Sequence, residues 1–140
     1  MSKIAVVYWS GTGNTEEMAK QVAQGAKSAG AEITMFTASE FTIDMVDTYD
    51  AIAFGCPSMG DEVLEESEFQ PMWDDIKPKL NGKKVALFGS YGWGDGEWMR
   101  NWEEECNVQG ISLACNYVIC NEIPDVDAVQ SCKVLGQSII

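Results

Sequence analysis

Lys3-Ile4-Ala5-Val6-Val7-Tyr8-Trp9, followed at once by Ser10-Gly11-Thr12-Gly13-Asn14-Thr15, is the stretch that decides the fold. Seven residues without an interior charge predict a strand buried on both faces, which in practice means a parallel strand covered by helices. The next fifteen residues change period: Met18, Val22 and Ala26, with Ala19 and Ala23 beside them, share one helical face, and Gly30 ends the helix. The same exchange of period repeats along the chain. Strands are expected at Ile33–Thr37, Ala51–Cys56, Val85–Ser90 and Ile111–Cys120. Between them lie a short helical or irregular crossover over Ser39–Thr48 and helices over Phe69–Leu80, with Pro71 in its first turn, and Glu97–Val108. Pro124 opens a last helix, with Asp125 and Asp127 at its positive end. This alternation predicts an α/β fold: a parallel sheet with helices on both faces.

At 140 residues the chain fits one domain, 1–140, and its 46% hydrophobic content is enough for a packed core. Nine Lys and Arg against 22 Asp and Glu, with no His, leave a net charge of −13. Such a charge repels phosphate backbones and anionic lipid, so neither nucleic acid nor membrane is expected as a partner; basic protein surfaces are attracted. The lack of His removes the commonest general base and metal ligand and makes most hydrolytic mechanisms improbable. The apolar run after Lys3 is too short for a signal peptide, and a cytoplasmic location is expected. Cys56, Cys106, Cys115, Cys120 and Cys132 contain no C-x-x-C pair. Cys115 and Cys120 have the gap of one ferredoxin pattern, but Ile123 stands where a third Cys belongs. All five are expected as small buried hydrophobes in a reducing compartment, with no metal.

In a sheet of this kind, ligands bind beyond the carboxyl ends of the strands, where strand order reverses. The loops after strands one, three and four are therefore the ones to read. Ser10–Thr15 has two glycines, free N–H groups, three hydroxyls and a helix N-terminus, which together suit a phosphate. Glu16 and Glu17 stand where a Walker A loop needs Gly and Lys, and Glu16 also replaces the third glycine of a dinucleotide fingerprint. A well-capped turn is the plainer alternative. The loop holds no Lys or Arg, so a single terminal phosphate fits it better than a triphosphate with magnesium. The second loop, Pro57-Ser58-Met59-Gly60-Asp61-Glu62, enters a segment in which five of the eight residues 61–68 are acidic; alone, it also reads as a solvated loop. The third, Ser90-Tyr91-Gly92-Trp93-Gly94, sets an indole between glycines at a strand end. There it either covers a partner or planar ligand or packs as a core or interface residue.

These three loops resemble those of the flavodoxins, over nearly the whole chain and in the short-chain form found in anaerobes. The resemblance implies a doubly wound five-stranded parallel sheet of order 2-1-3-4-5. The switch-point rule is customarily illustrated with flavodoxin itself, so its agreement belongs to the resemblance and adds no separate support. Implied with it is flavin mononucleotide (FMN), bound non-covalently. Ser10, Gly11, Thr12, Gly13, Asn14 and Thr15 would hold its phosphate. Pro57 to Glu62 and Ser90 to Gly94 would enclose its ring, with Trp93 on one face and Met59 on the other. Glu62 would accept from the pyrimidine N–H. The Gly60–Asp61 peptide would turn over to offer its carbonyl to N5–H of a neutral semiquinone. A carboxylate at ~10 Å opposes the second electron by about 1.7 kcal/mol at an effective dielectric near 20. That is roughly 70 mV for a one-electron couple. The expected function is thus low-potential one-electron transfer, cycling semiquinone and hydroquinone, by a monomeric carrier rather than an enzyme. Its expected partners are basic faces of ferredoxin-linked reductases and oxidoreductases, docked by Asp61, Glu62, Glu65, Glu66, Glu68, Asp95 and Glu97. The alternative is a small FMN-dependent NAD(P)H:quinone-type reductase, which needs a second pocket for which no insertion is evident. A phosphate-switched receiver module would need an acceptor Asp where Gly55-Cys56-Pro57 stand.

Overall fold

Three buried apolar strands dominate the centre of the molecule, which is described by a computed structural model over residues 2–140. The elements are β1 (Lys3–Tyr8), α1 (Asn14–Ser28), β2 (Glu32–Thr37), β3 (Ala51–Gly55), α2 (Phe69–Ile76), β4 (Lys84–Tyr91), α3 (Glu97–Gln109), β5 (Val118–Asn121) and α4 (Val126–Ser138). All neighbouring strands are parallel, in the order β2-β1-β3-β4-β5. Alternate side chains feed two cores, as the two-residue period of a strand requires. Ala5, Val7, Ile52 and Phe54 meet α2 and α3 through Trp73, Trp98 and Trp102. Ile4, Val6, Ala53 and Phe88 meet α1 and α4 through Met18, Val22 and Leu135. On the first side the large rings pack edge to face, Phe54 on Trp73, Trp73 on Trp102 and Phe69 on Trp102, with centroids 5.2, 5.6 and 5.4 Å apart. On the second, α1 and α4 approach so closely that a Cβ on Gly25 would lie 2.1 Å from the Lys133 carbonyl oxygen. One on Gly136 would lie 2.1 Å from that of Val22.

Three boundaries differ from the sequence expectation. The fifth strand is expected over Ile111–Cys120 but spans only Val118–Asn121. Its first half makes one bridge, Leu113 with Val85, and then bends away at Ala114–Cys115 before rejoining the sheet. The second helix stops at Ile76 and tightens into a 3-10 turn over Lys77–Lys79, because Pro78 has no N–H to continue the ladder. The last helix begins two residues after Pro124, where the Asp125 carboxylate caps it by accepting from the Ala128 N–H at 2.8 Å. The cysteines follow the same edge effect. Cys56, Cys106 and Cys132 are buried, whereas Cys115 and Cys120, near the short fifth strand, are half-buried. Burial raises the pKa of all five thiols, which favours their protonated form.

Candidate functional site

Beyond the carboxyl ends of β1, β3 and β4 lies a cavity of about 410 Å³, a size suited to a cofactor. Its walls come from all three expected loops: Ser10, Gly11, Thr12, Asn14 and Thr15, then Pro57, Ser58 and Met59, then Ser90, Tyr91 and Gly92. Sequence reasoning missed three more, Trp9, Glu122 and Ile123. The motif-based reading began one residue too late for Trp9. It had no signal for the turn after β5, where Glu122 sits at φ 57° with its N–H on the Tyr91 carbonyl. Neighbouring Asn121 does not line the cavity; its amide donates to the Tyr91 carbonyl at 3.3 Å.

The hydroxyls of the first loop have a double task. Gly13, the N-cap of α1 at φ 99°, has no side chain to cap with, so Ser10 Oγ accepts from the Gly13 and Glu16 N–H groups at 3.1 and 3.2 Å. Thr15 Oγ1 accepts from the Ser90 N–H at 3.4 Å and ties the first loop to the third. A hydroxyl that accepts from the backbone keeps its own proton to donate. Ser10 and Thr15 are thus set as donors at the mouth of α1, whose dipole adds positive potential there. The Ser58 hydroxyl is buried at the cavity wall without a hydrogen-bond partner, and a ligand atom there would satisfy it. The walls contain no Lys or Arg and a single carboxylate, Glu122. Neutral donors at one end, with Pro57, Met59, Tyr91 and Ile123 elsewhere, fit a phosphate joined to a planar ring.

Residues 59–63 form a tight hairpin in which Met59 and Val63 exchange both backbone hydrogen bonds at 2.9 Å. Gly60 and Glu62 have φ of 50° and 56°. The Glu62 carboxylate caps α3, accepting from the Glu97 N–H at 3.0 Å, since the N-cap Gly96 has no side chain. It also lies against Gly94, where a Cβ would come within 2.5 Å of its carboxyl carbon. Gly60, Asp61, Glu62, Trp93, Gly94 and Gly13 are therefore beside the cavity rather than in its walls. Trp93 is 58% exposed at the rim.

The acidic segment needs a correction. Glu65 is only 6% exposed and is not a docking group. Its Oε1 accepts from the Glu68 and Phe69 N–H groups, both at 2.8 Å, and its Oε2 accepts from the Ser67 N–H and hydroxyl. It caps α2 from outside the helix. Glu68 instead takes the Trp9 indole N–H at 2.9 Å, and Asp95 pairs with Arg100 at 2.9 Å.

Comparison with known proteins agrees with this geometry. The sequence model of the family described as flavodoxin matches residues 6–133. The chain belongs to the flavodoxin family. It is 48% identical over 134 residues to the flavodoxin of Clostridium beijerinckii and 44% identical over 135 to that of Megasphaera elsdenii, each alignment covering 96% of both chains. The solution structure of two-electron reduced Megasphaera elsdenii flavodoxin superposes with a TM-score of 0.89 at 45% identity, over 97% of each chain. As a flavodoxin, the protein is an electron carrier with FMN as its cofactor, and the nicotinamide-dependent reductase is set aside. No helix among the described residues is long and apolar enough to cross a membrane.

Proposed function

We infer that this flavodoxin works as one domain, a cytoplasmic monomer that carries single electrons at low potential, with its cofactor seated in the cavity of the three loops. The observation that supports this most directly is the composition of the walls: neutral donors at the α1 end and no cation beside the ring. Bound FMN supplies a ring able to take electrons one at a time. The residues do the rest. Ser10, Thr12, Asn14 and Thr15, with the Gly11 and Gly13 backbone, hold the phosphate. The unpartnered Ser58 hydroxyl would donate a hydrogen bond to the cofactor. Met59, Tyr91, Gly92 and the rim residues Trp93 and Gly94 exclude water from the ring, while Pro57 and Ser90 fix the loops from which they project. Glu62 accepts a ring N–H with the oxygen not committed to α3. The Gly60–Asp61 peptide, in a turn already at positive φ, would be free to turn over and present the Gly60 carbonyl as an acceptor toward a ring N–H.

An anaerobic reductive titration followed by absorbance tests this reading. The expected course is yellow, then a stable one-electron form with long-wavelength absorbance, then bleaching only by a strong reductant. Direct two-electron bleaching overturns it. In the same titration Gly60→Ala is expected to reduce the maximum one-electron fraction several-fold. A Cβ at residue 60 meets nothing within 4 Å, so the cost is one of backbone conformation: turning the peptide over while φ stays positive takes residue 60 from the left-handed region into one open essentially only to glycine, at about 1–3 kcal/mol for an L-residue. An unchanged fraction removes the peptide turnover from the account.

Basic faces of redox enzymes are the expected partners, ferredoxin-linked reductases and oxidoreductases among them. Asp61, Glu66 and Glu97 are exposed, in the hairpin beside the cavity, in the segment that follows it and at the start of α3, and Trp93 stands out into solvent at the rim. Electron-transfer rates to a basic partner are expected to fall about tenfold or more as salt rises from 10 to several hundred mM, because opposite charges steer the encounter. A flat salt dependence argues against docking through these carboxylates.

A further inference from the structure

The Trp9 indole stands between two hollows. On one side is the cofactor cavity; on the other is a second hollow of about 260 Å³ whose walls include Tyr8, Glu16, Ser39 and Glu68. Trp9 and Ser10 belong to both. Trp9 is held at two points, one on its backbone and one on its ring. Its backbone N–H donates to the Gly55 carbonyl at 3.0 Å, and its Nε1–H donates to Glu68 Oε1 at 2.9 Å. It also lies directly under the phosphate loop, since a Cβ on Gly11 would meet ring carbons Cη2 and Cζ3 at 3.1 and 3.3 Å. Glu68 is the N-cap residue of α2, but its carboxylate makes no cap there, because Glu65 already fills that role. The Glu68 side chain is therefore free to hold the indole, and the indole N–H in turn occupies a carboxylate oxygen next to a site for an anion.

We propose that Trp9, locked by Glu68, is a positioning wall that keeps the cofactor's phosphate end in the 10–15 loop and closes it off from the acidic side hollow. This rests on the reading that this loop takes the phosphate. Trp9 faces the cavity; Glu68 acts only through it. The function of the pair is selectivity for a flavin that carries a phosphate, which a merely structural role would not give.

The test is titration of the full chain with FMN and, separately, with riboflavin, followed by quenching of flavin fluorescence. Trp9→Phe, which keeps a ring but loses the N–H, and Glu68→Ala are each expected to weaken FMN binding about tenfold, the scale of one hydrogen bond. Riboflavin binding should change less than about twofold. Glu68→Gln, which retains an acceptor oxygen, should stay within about twofold of the parent for both flavins, and Trp9→Phe combined with Glu68→Ala should match either single change. Equal losses for FMN and riboflavin overturn the proposal. So does unchanged or tighter FMN binding by Glu68→Ala, which would mean that the carboxylate only repels the phosphate. A parent protein that does not prefer FMN to riboflavin instead overturns the reading of the phosphate loop itself.

Discussion

Gly25→Ala is expected to destabilise the protein by about 3 kcal/mol, the upper range for overpacking a rigid contact. The new methyl would lie 2.1 Å from the Lys133 carbonyl oxygen and 2.7 Å from its carbonyl carbon, and backbone cannot swing aside as a side chain can. Gly136→Ala meets the Val22 carbonyl oxygen at 2.1 Å in the same interface. Either change is relieved only by moving α1 and α4 apart, so the double variant should cost clearly less than the sum of the two. Separation also shifts α1, whose N-terminus carries the phosphate loop, so FMN affinity should fall along with urea stability. A variant as stable as the parent, or one that loses stability without losing cofactor affinity, would show that the two helices do not hold the loop in place.

Replacing Glu65 comes second in size. Glu65→Ala leaves the first N–H groups of α2 without an acceptor and is expected to cost about 3 kcal/mol at neutral pH; Glu65→Gln, with one acceptor oxygen left, should cost about half as much. Burial raises the pKa of this carboxyl, but the Ser67 hydroxyl and the N–H groups of Phe69, Glu68 and Ser67 together outweigh it and hold it below the ordinary glutamate value. A carboxyl whose pKa is lower in the folded state stabilises fully above the unfolded value, about 4.3, and loses that contribution as pH falls through the lowered native value. The stability gap between the parent and Glu65→Gln should therefore be constant from neutral pH to about pH 5 and narrow below it. Urea unfolding across that range checks the sign. A gap that widens in acid would place the carboxyl's pKa above its ordinary value.

Glu65 also shows where the sequence stops being legible. In a run of five acids among eight residues it reads as one more solvated charge, because nothing local distinguishes the carboxylate that folds back onto the next helix. β1, β3 and β4 were legible because continuous apolar runs have no other stable use, and the glycine and hydroxyl loop after β1 was legible because few other jobs need that mixture. β5 was not. Ile111 and Leu113 are apolar enough to suggest a strand, yet only Leu113 pairs with Val85 before the chain bends. Trp9 and Glu122 lie just outside the motifs that flag the site, and their part in it depends on how β1 and β5 end, a tertiary fact. Glu62 was assigned to the ring from the resemblance alone; its hold on the Glu97 N–H follows from Gly96, whose lack of a side chain leaves α3 to be capped from elsewhere.

The absence of any cation from the cavity walls has a practical result. On the proposed reading, cofactor and partner would be retained by different forces, one by short contacts from neutral groups, the other by long-range fields that dissolved ions weaken. A rise in ionic strength can thus free the carrier from an enzyme without emptying it, so that the loaded molecule diffuses on with its electron still aboard.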